Sequence, residues 1–171
     1  DPTKGIDILL RAWVKVVESM PDAELEIYGK GQPDAVIQSA GLSQAPPNVH
    51  FAGVVKPDEV RRLMRSSTIT VLPSRIEAFG FSAVESLSVG TPVVASNAGG
   101  IPEIIHHGID GFLVKPGDPL ELAERIKEVL LNPDLRERMS TNARKNFEQN
   151  FDLDRTAILQ ADMLQEMVKA D

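Results

Sequence analysis

Glu77 and Glu85 bracket Phe79, Gly80, Phe81 and Ser82 within the stretch "PSRIEAFGFSAVESLSVGTPVVAS". One carboxylate belongs to a loop, the other to the helix that follows, about a turn and a half inside it. From those places they can accept hydrogen bonds from hydroxyls at two separate points. Between them, Gly80-Phe81-Ser82 opens the helix. Glycine lets backbone approach a ligand closely, and a helix N-terminus offers unpaired N–H groups to an anion; Ser82 adds a hydroxyl. Acceptor, anion cradle, acceptor is also the order in which a sugar nucleotide presents hydroxyls, phosphates and hydroxyls. A plainer reading stands beside this one: a Glu near a helix start favours the dipole, and every strand-to-helix junction needs a turn. Spacing alone supports nucleotide binding and names no reaction.

Such side chains need a scaffold, and the apolar pattern supplies one. Leu9, Leu10, Trp13, Val14 and Val17 recur at helical steps over 7–20. Alternation in "AELEIYG" predicts a strand, with Gly29 and Gly31 in the turn after it. A helix over 33–40 ends at Gly41, and "NVHFAG" is a second strand. Pro57-Asp58-Glu59 opens the next helix. "TITVLP" is a third strand, followed by a helix over about 80–89; "PVVAS" is a fourth, "IPEIIHHG" a short helix and "GFLV" a fifth strand. From Asp118 the pattern is wholly helical: Asp118 with Glu121 resembles a capping box, Asn132-Pro133 begins a second helix and Asp152 a third. Strands alternating with helices predict an α/β fold, a doubly wound, Rossmann-like parallel sheet. The expected organisation is a single domain over 1–171, with 118–171 as its C-terminal helical segment. Ligands of such sheets sit beyond the carboxyl ends of the strands. The loops after "EIYG", "TVLPS" and "VVAS" are expected to converge there, two of them bringing the glycine pairs Gly29/Gly31 and Gly99/Gly100.

Bulk properties narrow the partners. The 171 residues carry 25 acidic and 18 basic side chains, a net charge of −7, so the average surface repels nucleic acid and anionic lipid. There is no cysteine, which excludes disulfides and thiolate metal sites and fits a reducing, cytoplasmic setting. No apolar run reaches the ~20 residues that span a bilayer. His106 and His107 are expected at a helix C-terminal end, pointing too far apart to chelate one metal. His50 is expected at the surface, Trp13 as a core or interface anchor, and Leu122, Ile126, Val129 and Leu130 as core. Ile158, Leu159, Met163, Met167 and Val168 of the last expected helix would leave an apolar patch if their partner surface is missing.

From Lys4 to about Val114 the sequence resembles the C-terminal, donor-binding domain of retaining glycosyltransferases of family 4, glycosyltransferase group 1. The matching segments, in family order, are "KGIDILLRAW", "AELEIYGKG", "NVHFAGVV", "VLPSRIEAFGFSAVESLSVGTPVVASNAGGIPEII" and "GIDGFLV". The resemblance implies one half of a two-domain GT-B enzyme. It implies that Lys4 neutralises the donor diphosphate, that Glu77 contacts the transferred sugar and that Glu85 grips the ribose. Gly80, Phe81 and Ser82 would supply amides to phosphates and sugar. Val55, with Gly53, lies where the family lines the base pocket, and Gly29, Tyr28, Lys30 and Gly31 lie nearby. The implied reaction is sugar transfer from a nucleoside-diphosphate sugar with retention, in polysaccharide or glycolipid biosynthesis, with no metal or cofactor and no nucleic acid partner. Any membrane association would come only through the other domain.

Three departures qualify the match. The family's Gly-Arg strand ahead of "KG" and its N-terminal acceptor domain are not in this sequence, so weak donor binding without turnover is expected. Ser67-Thr68 replaces the usual Ala-Asp. Two alternatives remain at this stage: half of a GT-B-like epimerase, and a non-catalytic nucleotide-binding module that regulates a partner.

Overall fold

Five strands alternate with helices in the order the apolar pattern predicts. The computed structural model describes residues 1–152. A 3-10 turn, Pro2–Lys4, leads into α1 (Ile6–Ser19), β1 (Leu25–Tyr28), α2 (Pro33–Ser39), β2 (Val49–Gly53), α3 (Pro57–Ser66) and β3 (Thr70–Leu72). Then come α4 (Phe81–Ser88), β4 (Val93–Ser96), α5 (Ile101–Ile104), β5 (Gly111–Val114), α6 (Pro119–Leu131) and α7 (Pro133–Asn150). The helix expected from Asp152, with Ile158 to Val168, lies outside the described residues.

Every strand pairing is parallel. The hydrogen bonding is divided, however: β1 pairs with β2, while β3, β4 and β5 form a second ladder in that order. One core nevertheless serves both. Leu25 of β1 and Val94, Phe112 and Val114 of β4 and β5 pack with Ile8, Leu9, Trp13 and Val16 of α1 and Leu122, Ile126 and Val129 of α6. On the opposite face Val93 and Ala95 meet Ala83 and Leu87 of α4, Ile101 and Ile104 of α5, and Ala143 of α7. Successive residues of β4 thus feed opposite cores, as a two-residue period requires, and all four are buried. This is the doubly wound, Rossmann-like arrangement. Trp13 is a core residue, its indole N–H donating to the Pro47 carbonyl at 3.0 Å. Leu122, Ile126 and Val129 are core as well, with Leu130 packed against them. Among the described residues no helix is long and apolar enough to cross a membrane.

Two local expectations need correcting. The helix expected through the histidines stops at Ile104, because the Asp110 carboxylate competes for the chain beyond it. Asp110 is wholly buried and accepts from the His106 N–H at 2.8 Å and from Asn146 Nδ2 at 2.7 Å, with His106 Nδ1 at 2.9 Å. His107 instead accepts from the Leu113 N–H and packs edge-on to Phe112. Second, only half of the Asp118 capping box forms: Asp118 Oδ1 accepts from the amides of Leu120 and Glu121, but Glu121 Oε2 takes the Lys115 N–H.

Asn146 of α7 also donates to the Ile104 carbonyl at 2.8 Å, so one buried amide ties α7 to the end of α5 and to Asp110. Asn146→Ala takes the side-chain donor from the Ile104 carbonyl and one of several partners from the buried Asp110 carboxylate, and is expected to destabilise the fold by roughly 2 kcal/mol. Urea unfolding checks this; an unshifted midpoint would show that the amide contributes nothing.

Candidate functional site

The short turn at the start of the chain is built to hold Lys4 against the end of β3. Asp1 caps it by accepting from the Thr3 N–H at 2.9 Å and the Thr3 hydroxyl at 2.6 Å. Gly5 closes it with a φ of 65°, and a Cβ there would lie 2.0 Å from the Pro73 carbonyl oxygen. Only glycine permits both that backbone angle and that approach. The loop 73–80 returns the contact, since the amides of Arg75 and Ile76 donate to the Thr3 carbonyl at 2.7 and 3.4 Å. The Arg75 guanidinium completes the clamp. It donates to the Pro2 carbonyl at 2.7 Å and grips both Asp7 oxygens, each at 2.7 Å. This bidentate hydrogen bonding holds the Asp7 carboxyl below the ordinary carboxylate range.

The result is that Lys4 Nζ lies 2.8 Å from Glu77 Oε2. The lysine side chain is 52% exposed and the glutamate 20%, so the pair stands at the surface, with its carboxylate half-sheltered. The buried Ser74 hydroxyl approaches the same oxygen at 3.4 Å. Beyond Glu77 the chain enters α4 through Gly80, which offers no capping side chain, so no side chain caps the first amides of the helix at Phe81 and Ser82. Phe81 is 75% exposed and packs at a tilt against Phe79, ring centroids 4.9 Å apart.

Glu85 lies elsewhere on the same helix. It lines a hollow of about 190 Å³ between α3 and α4, together with Pro57, Asp58, Arg61, Val84, Ser88 and Phe147. Glu77 is not in that lining. The structure therefore brings Lys4 and Glu77 into contact and sets Glu85 in a separate hollow, on the α3 side of α4.

Two pairs of the strand-end loops are in direct contact. After β1, the Gly29 N–H donates to the Gly53 carbonyl at 2.8 Å, so the turn of Gly29 and Gly31 meets the end of β2. Side-chain space beside Gly29, Gly31 and Gly53 is open, with nothing within 4 Å of a built Cβ. Val55, next along, is half-buried and Val54 exposed. Tyr28 donates its hydroxyl to Glu26, and that bond pushes the phenol up to about 12. The Gly99/Gly100 pair has a different job from the ligand approach expected of it. A Cβ on Gly99 would lie 1.5 Å from the Glu77 carbonyl oxygen, and one on Gly100 2.8 Å from that of Phe79. These glycines let backbone pack on backbone, fixing the loop that carries Glu77. His50 is exposed.

Sequence reasoning passed over Arg75, Asp7 and Ser74. Arg75 and Ser74 sit inside the quoted stretch and were open to notice as polar groups flanking Glu77. Asp7 gave no signal, because its partner is 68 residues away.

A profile of the family "Glycosyl transferases group 1" matches residues 1–146. An uncharacterized glycosyltransferase of Methanocaldococcus jannaschii is 35% identical over 155 residues, covering 90% of this chain and 40% of the relative. A D-inositol 3-phosphate glycosyltransferase of Corynebacterium kroppenstedtii is 33% identical over 151 residues, covering 82% of this chain and 33% of its own length. The chain thus spans well under half the length of these relatives. Among solved structures, Anabaena Alr3699/HepE in complex with UDP-glucose superposes with a TM-score of 0.79 at 29% identity, covering 97% of this chain and 46% of that one. Neighbours of this kind are GT-B glycosyltransferases. The profile match across most of its length places the chain in a family: it belongs to the group 1 glycosyl transferases.

Proposed function

We propose that the chain is the nucleotide-sugar donor-binding domain of a retaining glycosyltransferase, working with a separate acceptor-binding domain. The observation that carries this is the meeting of the Lys4 ammonium and the Glu77 carboxylate, at 2.8 Å, beside the uncapped start of α4. A cation and uncapped amides suit a diphosphate whose charge grows as the sugar leaves, without help from a metal ion. Glu77 suits the transferred sugar, where a carboxylate orients hydroxyls and stabilises positive charge at the anomeric carbon. Glu85 suits the ribose, and the open backbone at Gly29, Gly31 and Gly53, with the half-buried Val55 beside it, suits the base. Gly80, Phe81 and Ser82 complete the phosphate contacts. Glu77 is a positioning and charge-stabilising group in this scheme rather than a nucleophile. The UDP-glucose held by the Anabaena relative supports the same ligand class here. A cytoplasmic location, a role in polysaccharide or glycolipid synthesis, and donor binding without turnover by this chain alone belong to the same reading.

Calorimetry with UDP-, GDP- and ADP-glucose tests it. At least one is expected to bind saturably, and Glu85→Ala to weaken that binding by roughly 1–3 kcal/mol through loss of charged hydrogen bonds to the ribose. Negligible binding of all three, equal in both proteins, would instead favour a regulatory module without a donor site.

A further inference from the structure

A second hollow, of about 400 Å³, lies between α3, the C-terminal end of α4, and α7. Its lining is Arg61, Arg62, Arg65, Ser88, Val89, Arg144 and Phe147. Four of those seven are arginines and none is acidic, in a chain whose net charge is −7. Lys4, Glu77 and the start of α4 take no part in it.

Local structure accounts for some of this charge. Arg144 donates to Glu148 Oε1 at 2.6 Å and to the Ser88 carbonyl, capping α4 at its negative end. Arg62 lies 3.9 Å from Glu59. Arg61 and Arg65 are different. Both are exposed, and among the described residues neither side chain has a hydrogen bond or an ion pair. Four residues apart, they project from one face of α3 towards the same hollow. Arg62 and Arg144 have carboxylate partners, but the four arginines together outnumber them, and an anion seated between Arg61 and Arg65 relieves the remaining repulsion. Guanidinium forks match the paired oxygens of phosphates and carboxylates alike, and a phosphate brings up to two negative charges to such a cluster where a carboxylate brings one. The volume falls within the range of small-ligand sites.

We infer that this arginine-lined hollow is a binding site for a phosphate-bearing ligand, with Arg61 and Arg65, unpaired among the described residues, as its donors. Arg61, Ser88 and Phe147 also line the hollow of Glu85, so the two adjoin along α3 and α4. The inference does not depend on the donor reading. The phosphate belongs either to a free small molecule or to a lipid headgroup, and the test separates them.

The experiment uses the Lys4→Met background, which removes the cation of the proposed donor site. Inorganic pyrophosphate is titrated at low salt into this protein and into its Arg61→Ala/Arg65→Ala derivative, with circular dichroism as a check on folding. Both proteins are also sedimented with vesicles of phosphatidylglycerol or phosphatidylcholine. Saturable pyrophosphate binding that falls at least tenfold on loss of the two arginines supports a free phosphate ligand. Selective sedimentation with phosphatidylglycerol, lost in the same derivative, supports a lipid headgroup. An Arg61→Lys/Arg65→Lys protein, keeping charge but losing the fork, is expected to lie between the two. Binding undiminished in the alanine derivative, or no response to either probe, overturns the inference.

Discussion

Gly99→Ala is expected to destabilise the protein by at least about 4 kcal/mol, or to prevent its folding. The new methyl would sit 1.5 Å from the Glu77 carbonyl oxygen and 2.7 Å from its carbon. Neither is the end of a flexible side chain; both are backbone of the loop 73–80. Gly99 also has a φ of +54°, a region that costs an L-residue on the order of 1 kcal/mol before any clash. The loop has little freedom to retreat, since its other side is hydrogen-bonded to Thr3 through Arg75 and Ile76. Gly31→Ala is the matched control. It has nothing within 4 Å and no left-handed φ, so its unfolding midpoint is expected to stay within about 0.5 kcal/mol of wild type. Urea titrations of the two proteins decide it. If Gly99→Ala proved as stable as Gly31→Ala, the close packing of these two loops would be wrong. Any folded fraction of Gly99→Ala is further expected to lose donor affinity, because the methyl can be admitted only by displacing Glu77.

That pair of glycines also marks the limit of what the sequence discloses. A glycine written beside a strand end announces close approach but not what approaches. Gly29 and Gly53 face open space, whereas Gly99 faces another loop of the same chain. The strands were legible because burial on one or two faces leaves a local imprint. The unbroken apolar run of β4 records cores on both sides, and the alternation in β1 records one. Helix starts were legible too, since Pro57 and Pro133 occupy first helical positions where the missing N–H costs nothing. The end of α5 was not, because its cause is the buried Asp110 reaching back to His106. The division of the ladder between β2 with β1 and β3 with β4 was hidden as well, since pairing is a relation between distant segments. At the site the same rule holds. Glu77 and Glu85 stood out by type and spacing, yet what each one meets, Lys4 for Glu77 and the hollow beside α3 for Glu85, follows from how α3 and the 3-10 turn pack. Lys4 reaches Glu77 across 73 residues, a contact to which spacing offers no clue.

Lys4→Met is expected to weaken binding of the cognate nucleoside-diphosphate sugar by roughly 2–3 kcal/mol, the scale of hydrogen bonds to a charged group. The methionine keeps the unbranched apolar stem of lysine and drops only the terminal ammonium, so the loss reports the charged group. Little stability should be lost with it, because an exposed ion pair such as Lys4–Glu77 contributes on the order of 1 kcal/mol or less. Arg75→Gln tests how that charge is aimed. It removes the grip on Asp7 and the bond to Pro2, releasing the turn that carries Lys4 while leaving every proposed ligand contact in place. Its effect on donor affinity is therefore expected to be large with Lys4 present and small in Lys4→Met, a coupling that a double-mutant cycle measures directly. Acidity gives an independent check. The Asp7 carboxyl is held below its ordinary value by Arg75, so the clamp contributes fully above about pH 4, the unfolded value, and is lost only as pH falls through the lowered folded one. The coupling should accordingly be flat from about pH 5 upward. Losses that simply add in the cycle would show that Arg75 supports the fold without directing Lys4, and the ammonium would then reach a diphosphate by its own flexibility.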